Sequence, residues 1–450
     1  MQMKKVVVIS MLAATLGATA VSPIMAQSSS QQSLQIMTAS FSVNGKATDI
    51  RTIDKDGVAL VSVRDIARAI EASLSVSGGT IKVQLNHNIV TLEGNALTLV
   101  GGNAFAEPAS LLQGLGATYA STGNTVATIK LLSGIDHAVW ANASQLIVSK
   151  TVENGREDYV VDAATGRNEL LLASSDTSDL VVSKDGSQAA YTDPSGAVHI
   201  ITLSTKQDVV ASTDSSIKNE LQWSNDGKSL FFLQGDKNSV IAKVDLADGK
   251  VTKLLEDKVD YKANLSVSID GKQFGYAVIK QPKVTADSSK EVDLDDVAID
   301  AAGTEPQLFY YNSADSSAKP LQLTTDKNDK AFPQIAANGS RLFYVSMGSD
   351  EESIGSLAAV DNAGKAATTL FAEQDVYQLV QRDGQLYLLT AKGDGNAIYS
   401  VDAVTGSAKL VQTVSDGVTE LIVSNVGKLA ALSNGVLAVE NNGKFVTITN

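Results

Sequence analysis

Few side chains in this sequence could do chemistry. There are three histidines, His87, His137 and His199, and no cysteine among 450 residues. Histidine can ligate a metal or move a proton, but ligation needs several donors converging, and no two of these lie close in sequence. His87 sits in an asparagine-rich turn, His137 at a change of repeat and His199 inside a strand pattern, so turn and packing roles are expected of all three. The absence of cysteine removes disulfides, thiolate zinc sites and thiol nucleophiles together. No Gly-x-Ser-x-Gly elbow, P-loop or Gly-x-Gly-x-x-Gly fingerprint follows a strand pattern, so neither triad hydrolysis nor phosphate cradling has a carrier. The expectation is a chain that is not an enzyme, with no catalytic, cofactor-binding or metal-ligating residue.

Carboxylates are the remaining chemistry. Glu291, Asp293, Asp295, Asp296 and Asp300 crowd one segment, and Asp350, Glu351 and Glu352 another. Gathered on one surface they could attract a basic partner or calcium. These eight residues form the candidate recognition surface. Further acids fall at regular intervals before strands, Asp176, Asp179, Asp214, Glu256, Asp257 and Asp326, with Lys218, Lys258 and Lys327 partly offsetting them. The formal net charge of -14 excludes the clustered basic surface that a phosphate backbone requires, so nucleic acid is not an expected partner.

The elements that position these residues are repeats. From about residue 133 an Asp-Gly or Asn-Gly turn between apolar strands recurs, at Asp185-Gly186, Asp226-Gly227, Asp270-Gly271, Asn338-Gly339 and Asp383-Gly384, with weaker versions at Ser144 and Gly427. Such pairs supply the positive φ that a tight hairpin needs. Asp162, Asp245 and Asp402 each open a second turn that ends in Gly, and each of those glycines lies 22 residues after the first turn of its unit. Successive units are 41 to 45 residues apart, except for one gap of 68. Four strands and about 43 residues per unit make propeller blades. The fold class expected is mainly β: a seven-bladed (alternatively six-bladed) β-propeller preceded by a small duplicated α+β domain. How the ring closes is left open, since the last strand, 445–449, falls in its own blade. The long gap marks an insertion, 281–306, expected to be a surface loop. Aspartate side chains cap their own turns, so no cofactor is expected there. Calcium is the one ion these carboxylates would admit.

Earlier in the chain a different repeat has an offset of 45 residues: Leu60, Ile66, Ile70 and Ile81 return as Phe105, Leu111, Leu115 and Val126. Each copy predicts strand, short helix, glycine turn and strand. Ahead of it, Met1 to Lys5 is basic and residues 6–21 are apolar, followed by a small residue at Ala26. That pattern predicts a cleaved signal peptide over 1–26 and a Ser/Gln linker over 27–33. The domains expected are 34–132 and 133–450.

Two resemblances follow from these motifs. Val43-Asn44-Gly45-Lys46, the helix 63–70 and Leu115-Gly116-Ala117 resemble the copper amine oxidase N-terminal-like, or stalk, domain of secreted bacterial proteins. Ala109 stands where Arg64 would recur, a departure from that pattern. The resemblance implies a spacer or envelope-association module without copper chemistry. Trp223-Ser224-Asn225-Asp226-Gly227-Lys228 and the strand after it resemble the WD40-like repeat of periplasmic TolB-type propellers. This implies protein contacts rather than catalysis. The function expected is therefore a secreted or envelope-associated, non-enzymatic propeller that binds a protein or envelope component. The alternative is a lyase or hydrolase acting on an extracellular polymer inside the propeller channel. Raised carboxyl pKa values in the channel would favour that alternative.

Overall fold

The computed structural model describes residues 34–286, 297–350, 352–364 and 366–450. They divide into two compact units, one holding residues up to Gln84 with Ile89–Ala127, the other Leu85–Asn88 with Thr128–Asn450.

The first unit is built twice. Strand Val58–Ser62, helix α1 (Val63–Ala69), and strands Ser73–Ser77 and Thr80–Leu85 are followed by strand Asn103–Ala106, helix α2 (Pro108–Gly114), and strands Thr118–Ala120 and Thr125–Ala127. The Ser62 hydroxyl accepts the Asp65 amide to start α1, whereas α2 starts on Pro108, whose missing N–H costs nothing in a first turn. Ile66, Ile70, Leu111 and Leu115 are buried on the matching faces, as a 3.6-residue period requires. Asn44 and Gly45, at φ of 50° and 80°, turn strand Met37–Val43 into Lys46–Lys55. Strand Val58–Ser62 of the first copy and the three strands of the second lie in one seven-stranded sheet, whereas Ser73–Ser77 and Thr80–Leu85 form a separate three-stranded sheet with Asn88–Leu92. One polar lock exists only in the first copy. Arg51 donates to both Asp65 oxygens at 2.6 and 2.7 Å and to Asn103 Oδ1 at 2.8 Å, and its bonds hold the Asp65 carboxyl below the usual carboxylate range. Ala96 and Ser110 stand at the equivalent positions of the second copy.

The second unit contains seven four-stranded antiparallel sheets, each made of strands consecutive along the chain apart from one inserted hairpin. We number the blades 1 to 7: 137–174, 181–212, 218–256, 262–322, 329–371, 376–414 and 418–447. Of the two counts the repeat allowed, seven is the one observed. Second strands such as Ser229–Gln234 are apolar on both faces because a neighbouring blade covers each. Fourth strands are outermost and leave Leu170, Val209 and Val411 exposed. The insertion in blade 4 is not only a loop: Lys283–Ala286 and Val297–Asp300 pair as a two-stranded sheet of their own. The apolar pattern there is too short to separate a hairpin from a coil.

Each blade interface has its own apolar cluster. The largest closes the ring, with Trp140, Leu146 and Val161 of blade 1 against Leu432, Leu437 and Val439 of blade 7. Trp140 Nε1 donates to Ile422 O at 3.2 Å, and the Ile135 and Asn450 amides donate to Gly435 O and Leu132 O at 2.9 and 2.7 Å. The last strand, Lys444–Thr447, stays in the sheet of blade 7, so closure needs no strand exchange.

Candidate functional site

The first strands of all seven blades run side by side and line a channel of about 1400 Å³. Their carboxy-terminal ends lead into the Asp-Gly turns. Their amino-terminal ends meet the links between blades, on the face that also carries the second-to-third connections, including the hairpin 283–300.

At the turn end most aspartates are consumed locally. Ser183 and Ser224 donate to Asp185 and Asp226 at 2.7 Å, and the amides of Ser187 and Lys228 add to them. The serine bonds are the main reason both carboxyls lie below their usual range. Asp162 and Asp402 are likewise capped by the amide and hydroxyl of Thr165 and Thr405. Lys184 crosses this end: its ammonium reaches Asn225 of blade 3 at 2.9 Å and Asp383 of blade 6 at 3.5 Å. Its carbonyl accepts from Asn425 of blade 7 at 2.9 Å. The channel is therefore bridged at the turn end.

The link end is built on buried cations. Lys218, Lys262 and Lys330 begin the inner strands of blades 3, 4 and 5, and their side chains are fully buried. Lys218 Nζ donates to Gly196 O, Asp214 O and Ser216 O at 2.6–2.8 Å. Lys262 Nζ reaches Ser239 O, Val259 O and Asp257 at 2.5–2.8 Å, and Lys330 Nζ reaches Asn328 O and Asp326 at 2.5 and 2.9 Å. A bulge two residues later makes this possible: Glu220, Asn264 and Phe332 adopt φ of 52–56°, and the ladder shifts register there. This corrects the sequence reading of the rim. Asp214, Asp257 and Asp326 are neutralised from inside by Lys218, Lys262 and Lys330, not by Lys258 and Lys327. They are not a free acidic field.

Within this mouth the repeat breaks down. His137 of blade 1 faces Glu420 of blade 7, Nδ1 to Oε1 3.7 Å. Burial, ahead of the His137 attraction and the Asp179 repulsion, pushes the Glu420 carboxyl above its ordinary range. Asp179 is paired with Arg156 at 2.6 Å, and Arg156 also holds the fully buried Asp158 at 2.8 Å. Farther along the channel, beside the turns, Arg382 donates Nε to Val423 O at 3.0 Å and Nη1 to Gln381 O at 2.9 Å. A half-exposed acid, a histidine and an arginine thus share one channel, an arrangement able to orient a polar ligand and exchange a proton with it.

The other sequence candidates fall elsewhere. His199 lies between Asp193 and Asp208 at 3.3 and 3.1 Å and stacks on Tyr191, in the third strand of blade 2. His87 contacts the Thr449 carbonyl at 3.1 Å. The indole N–H groups of Trp140 and Trp223 bond to carbonyls of adjacent blades. Asp300 pairs across the inserted hairpin with Lys283, Asp350 caps a turn through its carbonyl, and Glu352 is exposed. Glu291, Asp293, Asp295, Asp296 and Glu351 lie outside the described residues. Among the described residues no three His, Asp or Glu side chains are grouped to hold a metal, and no helix is long and apolar enough to cross a membrane. Sequence reading assigned neither Glu420 nor Arg382. The only signal was negative: both are charged residues within otherwise alternating first strands.

No family model and no curated protein matches this chain, so the stalk likeness of 34–132 remains a resemblance of motifs. Solved structures do match. Tricorn protease aligns over 91% of this chain and 46% of its own at 10% identity and a TM-score of 0.51. A puromycin-hydrolyzing peptidase of Mycobacterium tuberculosis aligns over 72% and 57% at 11% identity and 0.52. An oligogalacturonate lyase in complex with manganese aligns over 71% and 86% at 14% identity and 0.51. The chain thus spans about half the length of the two peptidases, and at these identities the likeness shows the fold alone. TolB from Acinetobacter baumannii aligns over 75% and 77% at 15% identity, but a TM-score of 0.38 adds nothing to the assignment. The expectation that this chain is not an enzyme is corrected by these comparisons, because its fold is one that a lyase and two peptidases use. The propeller fold is shown.

Proposed function

We propose that this is an exported propeller that takes a polar ligand into its channel through the mouth bearing His137 and Glu420. The observation that carries the reading is Glu420, a carboxyl held above its usual range by burial at the mouth of the channel, with a histidine 3.7 Å away. A purely structural channel would favour small or apolar linings over a carboxyl that burial opposes. The export pattern of residues 1–26 supports a substrate outside the cytoplasm, a component of the envelope or an extracellular polymer. The position of Glu420 favours a second reading, in which Glu420 and His137 exchange protons with a bound polymer, as a lyase or hydrolase requires. The lyase and peptidase neighbours make that chemistry compatible with the fold.

The test is a binding screen of neutral and charged oligosaccharides and peptides by calorimetry, with Glu420→Gln to remove the acid and, to block the mouth, Ser215→Trp at an exposed residue of the link between blades 2 and 3 that lines the channel. A ligand lost in S215W and weakened in E420Q supports channel binding. Turnover lost in E420Q supports the second reading. A ligand that binds both variants normally would place recognition outside the channel.

A further inference from the structure

Among the described residues, one cation of the channel has no carboxylate in ion-pair contact. Every other internal cation described above has a carboxylate within 4.0 Å: Lys218, Lys262 and Lys330 in the links, Arg156 beside Asp158, and Lys184 facing Asp383. Arg382 lines the same channel, and among the described residues no carboxylate lies within that distance. Its Nε and Nη1 are spent on backbone carbonyls, which fixes the plane of the guanidinium. No partner among the described residues accepts from Nη2. The adjacent Gln381 also lines the channel, and its buried Oε1 has no donor. Among the described residues the only carboxylate that attracts the Arg382 guanidinium is Asp383, which is outside ion-pair contact and also faces Lys184. Burial of the cation is therefore costly, and a ligand that brings a carboxylate into contact recovers that cost.

The position is equally informative. Val423, which receives the Arg382 bond, lies three residues beyond Glu420 on the same strand. At about 3.3 Å per residue that is roughly 10 Å along the channel. Lys184 bridges the turn end just beyond. An elongated ligand entering past His137 and Glu420 would therefore place its leading group on Arg382.

We propose that Arg382 is a carboxylate-binding residue, and that the channel takes a ligand whose inner end is a carboxylate. The proposal rests on the channel reading above and adds the ligand's charge and orientation to it. Arg382 supplies Nη2 to a carboxylate oxygen, and the opposite end of the ligand lies about 10 Å away beside Glu420.

Calorimetry on the full mature chain tests it with two matched pairs: a trisaccharide ending in glucuronate or in glucose, and trialanine with a free or an amidated carboxyl terminus. The expected result is at least tenfold tighter binding of the acidic member in one pair, which also tells an acidic sugar from a peptide terminus. That preference should disappear in Arg382→Gln. Arg382→Lys, which keeps the charge but loses the planar fork, should retain only part of it. If R382Q does not fold, a loss of threefold or more in R382K takes its place. Acidic and neutral members binding alike, an acid preference surviving in R382Q, or no binding of any carboxylate would overturn the proposal. Neutral members that bind and are blocked by S215W would leave the channel reading standing while this inference fails.

Discussion

The two ends of the inner strands face the same demand, a chain reversal beside the channel, and meet it with opposite materials. At the turn end, aspartate and serine close most turns from within, in contact with solvent, and Lys184 of blade 2 adds a bridge across the channel. At the link end, Lys218 and Lys262 reach carbonyls of the preceding blade, Gly196 and Ser239 respectively, so each link depends on its neighbour. Glu220 adds to this by accepting the Asn264 and Leu265 amides of the next blade at 2.9 and 2.6 Å. Devices that repeat in several blades are framework. Those that occur once, His137, Glu420 and Arg382, lack a framework reason to be charged.

The largest effect should come from Lys262→Met. It leaves the Ser239 and Val259 carbonyls without a donor and strands Asp257, at a cost of about 3 kcal/mol. The urea midpoint measures it, and a cost no larger than that of a turn variant would erase the contrast between the ends.

Next come two glycines at equivalent turn positions. A Cβ on Gly186 would lie 2.1 Å from the Ala141 carbonyl, whereas one on Gly227 meets nothing within 4 Å. Gly227→Ala should cost only the strain of positive φ, about 1 kcal/mol, and Gly186→Ala clearly more. Equal losses would mean that the blade 2 turn does not press on Ala141 of blade 1.

Glu420→Gln should act in the opposite direction. With its folded-state pKa above the unfolded value, Glu420 favours the fold fully only below the unfolded value of about 4.3, and that contribution is lost as pH rises through the folded value. The glutamine escapes that loss. The variant should therefore melt at a higher temperature than the parent at pH 7 to 8, the difference shrinking towards pH 4. A lower melting temperature at pH 7 would show that the His137 contact outweighs burial. The smallest effect is expected from Asp226→Ala, which removes a solvent-exposed cap from a single turn. Its thermal midpoint should fall less than that of any variant above except E420Q.

Much of the architecture was legible. Asp-Gly and Asp-x-x-Thr-Gly mark both hairpin turns of a blade because only a few residues tolerate their backbone, and their spacing gives seven units. The link end was not legible. Lys218 follows Asp214 by four residues, a spacing that usually marks a solvated pair, and the bulge at Glu220 that turns the lysine inward breaks the alternation a strand reading relies on. Lys262 was passed over for Lys258 for the same reason. Glu420 and Arg382 were invisible because their meaning comes from blades far apart in sequence that meet only around the axis. The Arg51–Asp65 lock was hidden similarly. Sequence drew attention to Arg64, but the guanidinium that binds α1 comes from a strand 14 residues from its partner.

The closing interface has a kinetic consequence. Six blade interfaces join neighbours in sequence, but the seventh brings Trp140 to Ile422 across 282 residues. Closing so long a loop rather than one of a single blade costs about 2 kcal/mol more in chain entropy, and the cost falls before any contact of that interface is made. Blades can therefore stack in order along the emerging chain while the ring stays an open arc, exposing the apolar faces of its two ends. Only when Leu437 and Val439 arrive does the arc become a circle, and the last blade acts as the latch. Truncation within it should yield a sticky, aggregation-prone arc instead of a shorter propeller.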